Sequence, residues 1–250
     1  MAIVRPRLTD YYGIAARQED LHFAIPFLDE DIPLNVDPFL LWRSPSQQDN
    51  ALHTSAINSF NHLGYLSKTN RALAEQMLVD ISECDEVGLG SSHTKKGKRI
   101  GKAAAKSILN LFSTIPEYDR RGFVHFEGIQ FFVENIGKDR ISDIFCNFVK
   151  SFLIDYTIQQ CLALSIPTAP VSTPVYGYTK NNIKEEVVNL PVNPETNDGI
   201  IFVPKHWLRY TPWINSDEFY SSFERKSADA KETRPVLTYS RHDFGQYGPM

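Results

Sequence analysis

Four aspartates and one lysine in this chain are spaced for metal-assisted chemistry. Asp139 and Asp143 stand one helical turn apart, with Asn147 one turn further on. A stripe of oxygens at that spacing suits a hard divalent cation. The same acids suit a helix start. Asp139, after Gly137-Lys138, can cap the helix, and Asp143 complements the dipole of the first turns. Asp155 and Gln159 pose a different question. On one continuous helix both fall within the apolar stripe of Ile141, Ile144, Phe145, Phe148, Phe152 and Tyr156. A polar pair on a buried face needs partners, or it costs several kcal/mol, roughly 2–7 by transfer measurements. It reads equally as a buried hydrogen-bond network or as the lining of a site.

Asp37 precedes Pro38 at the end of a short extended run, where a carboxylate can ligate a metal or shape a turn. Lys205 directly follows GIIFVP. A lysine just past a buried strand can steady an attacking water in a metal-dependent nuclease. The usual acid-x-Lys pattern fails, because Val203 holds the acid's place. These residues define the expected site. Asp37, Asp139, Asp143 and Asp155 are candidate ligands for Mg²⁺ or Mn²⁺, and Asp37, Asp155 and Lys205 are candidate catalytic groups.

A second feature is the basic, glycine-rich segment GLGSSHTKKGKRIGKAAAK, which no acid interrupts between Val87 and Pro116. Lys95, Lys96, Lys98, Arg99 and Lys102 precede or open an alanine-rich helix. Backbone N–H groups and a helix N-terminus attract phosphate, and the cations add to that field. The spacing departs from a Walker A loop, since Arg99 stands where Ser or Thr is required. A solvated surface loop is the plain alternative. The ligand expected here is a nucleic-acid backbone or a phosphorylated small molecule.

Other chemistries find no support. There is no Gly-x-Ser-x-Gly elbow and no HExxH. The seven histidines (22, 53, 62, 93, 125, 206 and 242) lack zinc-ligand spacing. Glu127 and Glu134 flank an aromatic segment. Trp207, Trp213, Phe202 and Tyr210 read as core aromatics or a protein-partner surface.

The elements that must hold these groups follow from composition and pattern. The chain has 250 residues, a net charge of -4, 42% hydrophobic and 22% charged residues. That is enough apolar surface for a core without metal or disulfide staples. Three cysteines, without a CxxC pair, suit a reducing compartment, with Cys146 and Cys161 as buried thiols. No apolar run is long enough to span a membrane, and no secretory leader is seen, so a cytoplasmic location is expected.

Helical spacing marks residues 51–80, broken at Lys68–Asn70, then Gly101–Phe112, then one long helix from Asp139 to Leu164. Phe123–Val133 reads as a strand or a hairpin bent at Gly128, and Gly199–Val203 as a buried strand. Pro167, Pro170 and Pro174 read as an extended linker. The expected fold is mixed α+β, one domain over residues 1–223 with a central apolar helix on a small sheet. Residues 224–250 read as a polar tail, or as a chain cut short of its natural end.

The blocks DIPLNVDPFLLW, EVGLGSSHTKKGKRIG, GKDRISDIFCNF with FLIDYT, and IIFVPKHWLR resemble an uncharacterised bacterial family, over Ile32 to Trp213. The resemblance implies an association with bacterial defence and carries no established activity. The resulting expectation is a metal-dependent nuclease or phosphodiesterase, a defence effector. The alternative is a non-catalytic subunit that binds nucleic acid, nucleotide or a protein partner.

Overall fold

The computed structural model describes residues 6–90, 97–177 and 182–209. All lie within one unit, Met1–Trp213. The expected tail at 224–250, Lys95, Lys96, Tyr210 and Trp213 lie outside the described residues.

The elements run α1 (Leu8–Tyr11), β1 (Asn35–Val36), α2 (Pro38–Trp42), α3 (Gln47–Thr69), α4 (Arg71–Asp80), α5 (Lys102–Thr114), α6 (Pro116–Arg121), α7 (Lys138–Phe148), α8 (Lys150–Leu164), β2 (Ala169–Gly177), β3 (Asn182–Leu190) and β4 (Leu208–Arg209). Short 3-10 turns include Phe126–Phe131 and Lys205–Trp207. The fold is mixed α+β, as expected.

Local signals set several boundaries. Asp37 accepts from the N–H of Phe39 and caps α2, with Pro38 at the first helical position. Ser46 caps α3 by accepting from the N–H of Asp49. Asn70 caps α4 by accepting from the N–H of Leu73. α3 buries Asp49, His53, Ala56, Ile57, Phe60 and Leu63 along one face. Gly64 lets α5 approach closely, because a Cβ there would meet the Phe112 ring at 2.3 Å.

The helix expected from Asp139 to Leu164 is two helices. The chain breaks at Val149, whose backbone (φ -105, ψ 13) closes α7 and opens α8. α7 is buried nearly all round and packs on β1 and β2, so its apolar stripe does not mark a single face. α8 buries Lys150, Leu153, Ile154, Thr157 and Cys161, a face that excludes Asp155 and Gln159. Both of those are exposed, so the expected buried polar pair does not form.

Two further expectations change. Phe123–Val133 is not a strand, because residues 126–131 coil into the 3-10 turn. The proline-rich stretch after α8 is not a linker. It forms an antiparallel ribbon, β2 with β3, in register from Ala169↔Leu190 to Gly177↔Asn182. A two-stranded ribbon has only edges, so Pro170 and Pro174 can be accommodated in it.

Residues 200–203 are buried, as expected of GIIFV, but join no ladder among the described residues. Their N–H groups find scattered acceptors instead: Pro191 O for Ile200, Glu86 O for Ile201 and Thr157 Oγ1 for Phe202, each at 2.8 Å. Beyond them β4 pairs with β1, Val36 opposite Leu208 and Asn35 opposite Arg209. All three cysteines are buried free thiols.

Candidate metal centre

The buried face of α3 carries Asp49 and His53 one turn apart, both largely inaccessible. The 3-10 turn after Gly122 is packed against α3 by its aromatics, with Phe60 touching Phe123 and Phe126. That packing delivers His125 and Glu127 to His53. The two imidazole centroids lie 5.6 Å apart. One ligand atom from each of His53, His125 and Glu127 falls within 4.8 Å of the others. Phe39 and Trp42 of α2 enclose the outer side of His125, with Trp42 edge-on at 4.8 Å.

Three polar atoms in this group are buried and have no hydrogen-bond partner: His53 Nε2, His125 Nδ1 and Glu127 Oε2. Each orphan of this kind costs about 1–3 kcal/mol. Three in one place call for an explanation, and a shared cation supplies one. Burial pushes the His53 imidazolium down to about 4, with His125 adding to the effect. Burial also lowers His125. Both rings are therefore uncharged at neutral pH and carry a nitrogen lone pair. Burial, with the charge of Asp37, pushes the Glu127 carboxyl up to about 7. Two neutral imidazoles and one carboxyl make a donor set that suits Zn²⁺ and other first-row transition ions better than Mg²⁺.

Neighbouring polar groups are already committed. Asp49 accepts from the indole N–H of Trp207 at 3.0 Å and from Ser44 Oγ at 2.5 Å, and His206 Nε2 lies 3.1 Å from it. Asp37 caps α2 and pairs with Arg209, Nε to Oδ2 at 2.6 Å.

The expected ligands do not converge. Among the described residues no three of Asp37, Asp139, Asp143 and Asp155 lie within ligand reach of one another. Asp139 is the second residue of α7, whose N-cap is Gly137, so it is not the cap that its position suggested. Asp143 is buried, and burial together with Glu83 and Asp139 holds its carboxyl well above the usual range. Asn147 is a pin. Its amide donates to Ile81 O, Glu83 O and Asp143 O. Lys205 reaches the carbonyls of Gln18 and Glu19 and lies outside the His53–His125–Glu127 cluster.

The described part of the basic segment faces acids. Arg99 pairs with Asp80 at 3.3 Å, and the Gly97 N–H donates to Asp85. Lys98 and Lys102 are exposed. Carboxylates beside the loop compete with any phosphate.

One sequence signal for the actual group existed. His125-x-Glu127 places two ligand types two residues apart. Nothing local links them to His53.

Residues 13–215 match a family described as Domain of unknown function (DUF8370), a span that includes all three donors and Arg209. No curated protein and no solved structure matches the chain.

Proposed function

This chain belongs to the DUF8370 family, and we propose that it is a metal-dependent phosphodiesterase whose centre is His53, His125 and Glu127. One observation carries the reading. Three side chains of ligand type meet there, two of them buried and His125 half-buried; His53 Nε2 and Glu127 Oε2 have no hydrogen-bond partner, and His125 Nδ1 has only the Glu127 carboxyl, 3.3 Å away. The oxygen-only site of Asp37, Asp139, Asp143 and Asp155 is abandoned, and Zn²⁺ replaces Mg²⁺ or Mn²⁺ as the preferred ion.

Bound there, the ion would act as a Lewis acid and lower the pKa of a water. Three protein ligands leave a position open for that purpose. The protein's own part is to hold the donors still. α3 fixes His53, the 3-10 turn fixes Glu127, and Phe39 with Trp42 brace His125.

A second reading is a non-catalytic module in which the same ion is structural. The exposed side chains of Val124, Phe131 and Phe132 beside the site favour it, since such apolar surface suits a partner.

The test loads metal-free protein with Zn²⁺, Mn²⁺ or Mg²⁺ and measures bound metal by mass spectrometry. Hydrolysis of bis(4-nitrophenyl) phosphate and of single-stranded nucleic acid is followed in parallel. The expected result is one tightly held Zn²⁺ and turnover that His53→Ala and His125→Ala both remove. Metal without turnover selects the module. Absence of metal uptake sinks the centre itself.

A further inference from the structure

The β2–β3 ribbon has two outer edges, and they differ. The register sets Pro170 opposite Asn189, Ser172 opposite Val187, Pro174 opposite Glu185 and Tyr176 opposite Ile183. Pro174 has no N–H to give to β3, and its carbonyl accepts from Lys150 Nζ at 3.1 Å, so its backbone groups face outward. In an antiparallel ladder inward and outward residues alternate, and both members of a pair face the same way, in or out. The outer edge of β2 is therefore closed. Pro170 and Pro174 offer no donor there, and Lys150 occupies a carbonyl. The outer edge of β3 presents the N–H and C=O groups of Ile183, Glu185, Val187 and Asn189, and no described residue bonds them.

We propose that this edge pairs antiparallel with the same edge of a second copy of the chain. The two ribbons then form one four-stranded sheet across a twofold axis at Val187. The proposal does not depend on the metal centre.

Three observations favour a second copy as the occupant. First, the edge is long and unblocked. β3 runs nine residues without a proline, and Lys184–Val187 and Asn189 are exposed. A two-stranded ribbon is a marginal unit that gains from further strands. Second, Val187 is 74% exposed, although it lies mid-strand. A twofold axis at Val187 sets this side chain against its own copy. Third, the charges fit that register. Glu185 falls opposite the partner's Asn189, Glu186 opposite the partner's Val188 and Lys184 opposite the partner's Leu190, so no charge meets its like. An axis at Lys184, Glu185 or Glu186 would bring like charges together. An axis at Val188 would leave Val187 facing Asn189. The strand is thus complementary to itself about Val187, as a twofold contact requires.

The test measures the mass of the full chain by sedimentation over a range of concentrations. The expected result is a dimer that Val187→Lys converts to a monomer with an unchanged circular dichroism spectrum. Val187 is exposed in the single chain, so the substitution removes little packing within it. The register is read with a short bismaleimide. Val187→Cys crosslinks to its own copy, and Lys184→Cys does not. The natural cysteines are all buried, so the introduced thiol is the one that reports. Amide exchange slows with concentration at Glu185, Val187 and Asn189, whereas Glu186 and Val188, which face β2, keep their rates. A monomer at every concentration overturns the proposal, and so does a dimer that Val187→Lys leaves intact. Crosslinking through Lys184→Cys instead of Val187→Cys overturns the axis at Val187.

Discussion

Nδ1 of His125 stands 3.3 Å from Oε1 of Glu127 without any hydrogen bond to it. That distance is roughly the edge of a tetrahedron whose corners lie about 2.0–2.1 Å from its centre, as in zinc sites. On the proposed metal reading, the two groups are spaced as ligands of one ion. Four predictions follow from this arrangement and from the packing that supports it.

Replacing His53 with Leu should abolish zinc uptake while leaving the metal-free protein within about 1 kcal/mol of wild type. An apolar side chain of similar size removes an unsatisfied buried nitrogen, so the lost packing and the lost polar penalty offset. Calorimetric zinc titration and urea unfolding check the two halves. A large loss of metal-free stability would mean that His53 is a core residue with a partner of its own.

Zinc affinity should rise with pH up to about 7 and then level off. In the metal-free protein Glu127 holds its proton below about 7, and zinc must displace it. Burial pushes His53 down to about 4, so it is mostly uncharged above pH 5 and adds little to the slope. Titrations in buffers of different ionisation heat should show close to one proton released at pH 6 and few at pH 8. Glu127→Gln should flatten that dependence.

Asp49→Ala should cost roughly 2–3 kcal/mol in urea unfolding. It strands the indole N–H of Trp207, which is 1% exposed, and leaves Ser44 Oγ and His206 without their acceptor. Asp49→Asn keeps one acceptor oxygen and should cost less. Equal stability of the two variants would show that the indole bond contributes little.

Lys150→Met should destabilise by roughly 3 kcal/mol, because the ammonium is buried and bonds Glu86 Oε1 at 2.8 Å and Pro174 O at 3.1 Å. Burial alone would raise the Glu86 carboxyl, and Lys150 with the Thr173 hydroxyl brings it below its ordinary range. Stability from this pair is thus present above the ordinary Glu value and lost as pH falls through the folded one. The double variant Lys150→Met, Glu86→Gln should recover part of the loss, since Gln still accepts from Thr173. A double-mutant cycle with no coupling would remove the ion pair from the account.

Part of the helical framework was legible in the sequence, although the break at Val149 and the helix Pro116–Arg121 were not. The break at Lys68–Asn70 is the junction of α3 and α4, and the helix after Gly101 begins at Lys102. Those boundaries depend on apolar spacing and on caps within a few residues. Phe123–Val133 misled because its aromatic and β-branched composition suits a strand, while its actual shape is set by Phe60 and Phe112 on other helices. The prolines after α8 misled because a two-stranded ribbon, with no central strand, tolerates them.

The site itself divides along the same line. Local sequence pointed to a turn or helix start at Asp37-Pro38, to a helix beginning near Asp139, and to Cys146 and Cys161 as buried thiols. It could not determine that His53 meets His125 and Glu127, nor that Arg209 closes on Asp37 beside them. Those contacts join segments far apart in the chain. They exist because α3, the aromatic turn and the β1–β4 pair bury their apolar surfaces against one core, and only that packing brings the polar groups they carry within reach of one another.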